Sequence, residues 1–244
     1  MKRSLPRQLI LGHRGSPREL AENTLASLAR AVQCGADGVE LDVQRSRDGI
    51  PAIIHDDSLE RTMSAKGVVS ALDWPAIERL TNARVPSFQQ AAAWAAASGA
   101  WLNVELKAAE VEKAVVDLLE EMNLVERTII SSFHPAIVRR VGNHSDDIRR
   151  FLLSERWNAA AEERFLEADA EGLCLRIDAA DDLILEELSA RSIPVIVWTV
   201  NTPADVRRLL QAGVAGIISD FPEMAAQERD RMIRSYAAPE ATTS

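Results

Sequence analysis

Eight short runs of branched aliphatic residues recur along the chain, each separated from the next by a stretch of helical period. That alternation is the strongest constraint on what the chain can fold into. The runs are Gln8–Gly12, Gly38–Val43, Trp101–Leu106, Thr128–Ser132, Arg150–Leu153, Gly172–Ile177, Val195–Val200 and Gly216–Ser219. Helical patterns fall at Thr24–Cys34, Ser87–Ser98, Glu110–Met122, Pro135–Val141, Ala159–Ala168, Asp181–Ala190 and Pro203–Ala212. Parallel strands need a crossover between them, so strands alternating with helices read as parallel. Eight such units in 244 residues match the count and length of a (β/α)8 TIM barrel, an α/β fold. An open doubly wound sheet usually has fewer strands, and no GxGxxG follows the first run.

Residues 46–85 break the rhythm. An Asp48-Gly49 turn is followed by a return strand, Ile50–His55, so a hairpin is expected there as a small insertion after the second strand. The whole chain, 1–244, is read as a single domain carrying this insertion. Two cysteines, Cys34 and Cys174, are too few for a disulfide framework or a thiolate zinc site. A net charge of -9 argues against a nucleic-acid partner. The apolar stretch before Gly12 is too short for an export signal. The alanine-rich run Ala91–Ala100 is half the length of a membrane span, and it reads as a buried helix. These features point to a cytoplasmic protein without a membrane span. The tail Ala237–Ser244 reads as disordered, and nothing in the sequence fixes an oligomeric state.

Barrel active sites form at the C-terminal ends of the strands, and the unusual polar residues fall there. His13 and Arg14 end the first run, Glu40 and Asp42 lie in the second, Glu105 and Lys107 end the third, and Asp220 follows the eighth. Residues two apart on a strand share a face, so Glu40 pairs with Asp42 and Glu105 with Lys107. Carboxylates about 4 Å apart repel by roughly 4 kcal/mol at an effective dielectric near 20. Either a hard divalent cation, Mg2+ or Ca2+, offsets that repulsion, or Lys107 and Arg14 do so as a salt-bridge network. Zinc is disfavoured, because no HxH or HExxH pattern supplies imidazoles. His13 and His55 reach the same barrel mouth and suit general acid–base work, against the plainer reading of hydrogen-bonded structural residues. His134 and His144 lie off these positions and read as structural or surface residues.

Taken as a set, His13-Arg14-Gly15, Glu22-Asn23-Thr24, Glu40-Leu41-Asp42-Val43, His55-Asp56, Leu59-Glu60-Arg61-Thr62, Glu105-Leu106-Lys107, Ser132-Phe133, Trp198-Thr199-Val200-Asn201 and Asp220-Phe221-Pro222 resemble the glycerophosphodiester phosphodiesterase family. The motifs stand in the family's order from His13 to Pro222. The resemblance implies a (β/α)8 barrel with an insertion after the second strand. It also implies hydrolysis of deacylated phospholipids, such as glycerophosphocholine or glycerophosphoethanolamine, to glycerol 3-phosphate and an alcohol. It further implies a divalent cation on Glu40, Asp42 and Glu105, an acid–base pair of His13 and His55, and phosphate contacts from Arg14 and Lys107. Attack by the glycerol 2-hydroxyl and direct attack by water are both compatible with family chemistry. Phe133 and Trp198 are candidates to pack against the glycerol carbons, although aromatics in strands more often serve a core. Arg176 matches no family role and reads as a salt-bridge residue. Met63-Ser64-Ala65-Lys66-Gly67 departs from the family pattern within the insertion. Two other readings are a related barrel phospholipase and an inactive barrel that only binds phosphodiesters. The second would be expected to have lost a carboxylate or a histidine, and this chain keeps all five.

Overall fold

The computed structural model describes Leu5 and residues 8–237. In chain order the elements are β1 (Leu9–His13), α1 (Leu25–Gln33), β2 (Gly38–Arg45), β3 (Pro51–Ile53), α2 (Glu60–Met63), α3 (Trp74–Thr81), α4 (Phe88–Ser98), β4 (Trp101–Leu106), α5 (Glu112–Glu121), β5 (Thr128–Ser132), α6 (Pro135–His144), β6 (Arg149–Ser154), α7 (Ala159–Glu167), β7 (Gly172–Arg176), α8 (Asp182–Ala190), β8 (Val195–Trp198), α9 (Pro203–Gln211), β9 (Gly216–Ser219) and α10 (Pro222–Ala237). Every strand except β3 pairs in parallel with its neighbours, in the order β1-β9-β8-β7-β6-β5-β4-β2, and β1 pairs back onto β2. The ring is therefore closed, which is the eight-stranded barrel that the alternation predicts. The short β3 runs antiparallel along the last three residues of β2, completing the expected hairpin.

The two-residue period of the strands sorts side chains into two cores. Ile10, Val39, Leu41, Val104, Ile130, Leu152, Leu173, Val197 and Ile217 face outward and pack under the helices. Leu9, Leu11, Ile129, Phe151, Leu153, Cys174, Ile196 and Ile218 face inward and fill the barrel. Continuing each inward set by two residues toward the strand's C-terminal end carries the barrel from an apolar floor to a polar mouth. Leu11 is followed by His13, Ile129 by Ser131, Ile196 by Trp198 and Ile218 by Asp220. In β2, whose Val39, Leu41 and Val43 all pack outward, the inward positions fall to Glu40 and Asp42.

Helix starts follow ordinary capping chemistry. Thr24, Asn158, Asp181 and Thr202 each accept an amide from the first turn, and Ser87 with Gln90 forms a capping box. The alanine-rich helix α4 corrects one expectation. It buries Ala91, Ala92 and Ala95 and exposes Ala93, Ala96 and Ala97, because a helix in the outer shell of a barrel covers the sheet with one face only. The insertion packs around its own small cluster of Ala52, Ile54, Leu59, Met63, Val69, Ile77 and Val85, and it includes the short helices α2 and α3, which periodicity alone does not indicate. Helix α10 is a further addition; it carries the chain helically to Ala237, the first residue of the tail expected to be disordered, and the rest of that tail lies outside the described residues. Among the described residues no helix is long and apolar enough to cross a membrane.

The turn after β1 is set by Gly15. Its φ of +93° is a left-handed conformation, and a Cβ there would sit 2.6 Å from the Ser27 carbonyl oxygen. Gly15→Ala is expected to cost about 2–4 kcal/mol of stability in urea unfolding, through strain and overpacking together. A loss within about 0.5 kcal/mol, the range of an ordinary surface substitution, would contradict this account of the turn.

Candidate active site

Strands β2 and β4 lie side by side in register, with Asp42 opposite Glu105 and Glu40 opposite Asn103. The inward faces of two adjacent strands thus present three carboxylates to one another. Glu40 and Asp42 are 4% and 1% exposed, and one oxygen from each of Glu40, Asp42 and Glu105 lies within 4.8 Å of the others. Burial and the Asp42 charge push the Glu40 carboxyl up to about 8. Burial and the same neighbour also raise Glu105. Asp42 is buried too, yet Lys107 and Arg14 outweigh that burial and hold its carboxyl below the usual range. Its Oδ1 accepts no well-directed hydrogen bond, although Lys107 Nζ stands 3.1 Å away. Three buried oxygen donors, one of them unsatisfied and two reluctant to ionise, fit a hard divalent cation. The competing salt-bridge network is also present in part: Lys107 Nζ donates to Glu105 Oε1 at 2.5 Å, and Arg14 Nε lies 3.2 Å from Asp42 Oδ2.

The loop after β1 holds this cluster from the other side. Arg14 is left-handed, with φ at +55°, and its amide donates to Glu40 Oε2 at 3.0 Å. Asn23, also left-handed and buried, donates its side-chain amide to Asp42 Oδ2 at 2.8 Å. Three consecutive residues of one motif therefore act on three different targets. Glu22 accepts from the Arg14 guanidinium, Asn23 fixes Asp42, and Thr24 caps α1.

Each of the two candidate histidines is backed by its own carboxylate. His13 Nδ1 bonds Asp220 Oδ1 at 2.7 Å, while its Nε2 lies 4.0 Å from Glu40. His55 Nδ1 bonds Asp56 Oδ1, also at 2.7 Å. Hydrogen bonds from Arg61 hold Asp56 down at about 2, and the His13 hydrogen bond lowers Asp220 against its burial. Both carboxylates are therefore ionised acceptors near neutral pH, so both Nδ1 atoms carry hydrogen and neither Nε2 atom is taken up by these carboxylates. His13 is partly desolvated, but Asp220 and Glu40 more than offset that and raise its pKa.

His13, Arg14, Glu40, His55, Glu105, Lys107, Phe133 and Trp198 all line one cleft of about 180 Å³ at the barrel mouth, which Leu153 and Ile218 close from below. Asp42 lies buried beneath it. Phe133 and Trp198 meet edge to face at 5.7 Å, and the indole N–H donates to the Cys174 carbonyl oxygen, fixing the ring. His134 and His144 are exposed, as expected. Arg176 pairs with Glu155 at 3.2 Å and Asp178 at 3.3 Å. A larger cavity of about 630 Å³ lies at the opposite end, near Val195 and Ala215, and gathers no comparable set of acids and histidines. The supporting roles of Glu22, Asn23, Asp56, Arg61 and Asn201 are missed by the sequence reading, in which Asn23 is an alternative to Thr24 as the first helix cap and Asp56 is only a charge beside His55. The structure gives the cap to Thr24 and puts Asn23 on Asp42. The only signal of these five roles is membership in the ordered motifs, since each residue acts on one distant in the chain or through a neighbour's side chain.

The glycerophosphoryl diester phosphodiesterase family profile matches residues 13–224, from the first histidine of the cleft into α10. The chain belongs to that family. A glycerophosphodiester phosphodiesterase of Caldanaerobacter subterraneus is 30% identical over 235 residues, covering 88% of this chain and 95% of that protein. Among solved structures, a phosphodiesterase of Oleispira antarctica in complex with its product sn-glycerol-3-phosphate is 28% identical, with a TM-score of 0.83, covering 93% of this chain and 97% of that one. The glycerophosphodiester phosphodiesterase of Thermotoga maritima is 25% identical, with a TM-score of 0.79, covering 91% and 99%. The barrel is thus the family's fold.

The raised carboxyls make stability depend on pH with a definite sign. Glu40, Glu105 and His13 bind protons more tightly folded than unfolded, so their contribution is full at low pH and is lost as pH rises toward the folded values, about 8 for Glu40. In chelator, the melting temperature is expected to fall between about pH 5 and pH 8. The rise on adding Mg2+ or Ca2+ is expected to grow over the same window, because the cation binds the ionised form. A flat profile with no response to cation would contradict this picture of the cluster.

Proposed function

We propose that this chain hydrolyses glycerophosphodiesters, such as glycerophosphocholine or glycerophosphoethanolamine, to sn-glycerol 3-phosphate and an alcohol, with His13 and His55 moving the protons. The observation that carries this reading is the pairing of two imidazoles, each tied at Nδ1 to its own ionised carboxylate, around a cleft that also holds three converging acids. The product bound by the Oleispira relative supports the glycerol phosphate half of the substrate. The cleft, at about 180 Å³, is smaller than the roughly 300–1,000 Å³ of drug-sized sites and suits a small polar molecule.

Glu40, Asp42 and Glu105 would hold the divalent cation, Mg2+ or Ca2+. Once bound, such an ion supplies Lewis-acid polarisation of a phosphoryl oxygen and offsets part of its charge. Arg14 and Lys107 provide fixed positive charge for the phosphate, and both are held protonated by the acids around them. The Arg14 guanidinium can engage two phosphoryl oxygens at once, whereas the Lys107 ammonium acts as a point charge. Phe133 and Trp198 offer an apolar wall for the glycerol carbons. One histidine takes the proton from the attacking oxygen at Nε2, and the other returns a proton to the departing alkoxide. Asp220 and Asp56 stabilise whichever imidazole becomes cationic.

His13→Ala and His55→Ala are each expected to lower kcat for glycerophosphocholine by at least about a hundredfold, read as glycerol 3-phosphate released, with melting temperatures near that of the unaltered protein. A near-normal kcat in either variant would remove that residue from proton transfer. Absence of turnover in the unaltered protein with Mg2+ and with Ca2+ would overturn the proposed activity.

A further inference from the structure

The motif Leu59-Glu60-Arg61-Thr62 is absorbed neither by the cation cluster nor by the two histidines, and its arginine has an unusual set of partners. Arg61 stands on α2, within the insertion, with its side chain about half exposed at 48%. Its guanidinium nevertheless makes four hydrogen bonds to two carboxylates. Nε and Nη2 donate to Asp56 Oδ2 and Oδ1 at 2.6 and 3.0 Å. Nη1 and Nη2 donate to Glu22 Oε2 and Oε1 at 2.9 and 2.7 Å. The same Glu22 Oε1 accepts from Arg14 Nη1 at 2.9 Å, and the same Asp56 Oδ1 is bonded to His55 Nδ1 at 2.7 Å. The result is one unbroken chain, Arg14–Glu22–Arg61–Asp56–His55. It runs from the β1–α1 loop across to the insertion, and both ends face the cleft. Two arginines and two carboxylates balance within it, so it can be held together without uncompensated charge.

We infer that Arg61 is a positioning residue: one guanidinium sets, through Glu22 and Asp56, the aim of both the phosphate-binding Arg14 and the imidazole of His55. This rests on the function proposed above. A purely structural role, fastening the insertion to the barrel, explains the bonds less well, because the insertion has other fasteners. β3 is paired to β2, Ile54 N–H donates to the Asp42 carbonyl oxygen, Ile53 N–H donates to that of Pro86, and the insertion holds its own apolar cluster. Nor is the geometry that of an ordinary surface ion pair, which holds one partner loosely and contributes little. The fork of the guanidinium grips each carboxylate with two bonds, which lysine cannot reproduce.

The test uses the full chain with glycerophosphocholine and Mg2+, comparing the unaltered protein with Arg61→Gln, Arg61→Lys and Arg61→Ala. The first two are expected to lose about tenfold to a hundredfold in kcat/KM, with losses both in kcat, through His55, and in KM, through Arg14, while the melting temperature moves by no more than about 2 °C. Because the site of Arg61 is open to solvent, millimolar guanidinium or aminoguanidine is expected to restore part of the activity of Arg61→Ala and to leave the unaltered protein unaffected. Combining Arg61→Gln with Glu22→Gln is expected to cost less than the product of the two separate losses, since both break one chain. An active unaltered protein whose Arg61 variants keep its kcat and KM, or lose activity only in step with folded fraction and without guanidinium rescue, would overturn the role of Arg61 alone. An inactive unaltered protein would instead overturn the proposed function, and this inference with it.

Discussion

Three acids crowded into a space where charge is costly determine most of what surrounds them. Asp42 and Glu105 are adjacent only because β2 and β4 run parallel in register, and Glu40 joins them because the strand period brings it to the same face. Left alone, such a cluster would protonate or push apart. The chain instead surrounds it with compensation: the Arg14 amide on Glu40, the Asn23 side chain on Asp42, and the Lys107 ammonium between Asp42 and Glu105. Even so, burial and the Asp42 charge keep the Glu40 carboxyl raised to about 8. Such a set of converging oxygen donors could hold a divalent cation.

The histidines show a second layer of the same logic. An imidazole that trades protons must keep one nitrogen fixed and the other free, and a carboxylate at Nδ1 does both. Asp220 is in turn steadied by the Asn201 side-chain amide at 2.8 Å and by Arg18 at 3.3 Å, and Asp56 by Arg61. His13, Glu40, Asp42 and Glu105 sit on strands, whereas Arg14, Asn23 and Asp220 sit in the loops that follow, so the rigid sheet sets distance and the loops set orientation.

Much of this was legible in the sequence, for identifiable reasons. Strand and helix alternation leaves few topologies open, and a period of two predicts which of Glu40, Leu41 and Asp42 turn inward. The eight apolar runs lie within two residues of the observed strand ends, and five of the helix starts carry capping side chains. The misses have physical causes as well. Helix α2 is a four-residue turn with too few positions to show a period, and α10 is strongly charged along much of its length. The alanine run in α4 points to a buried helix, but alanine signals helix without signalling which face is covered. Glu22, Asp56 and Arg61 could not be paired from spacing, since Glu22 and Arg61 are 39 residues apart and meet only once the insertion folds back over the barrel mouth. The carboxylate cluster is visible because its members lie on two neighbouring strands; the Arg14–Glu22–Arg61–Asp56–His55 network is not, because its members share only space.

The most direct measurement is a calorimetric titration of Mg2+, and separately Ca2+, into chelator-stripped protein, beside the isosteric variant Asp42→Asn. The account predicts one saturable ion per chain at neutral pH, protons released on binding, and loss of that binding in Asp42→Asn with the fold retained. Absence of saturable binding of either ion to the unaltered protein, or equal affinity in the variant, would contradict the claim that the three buried carboxylates form a cation site.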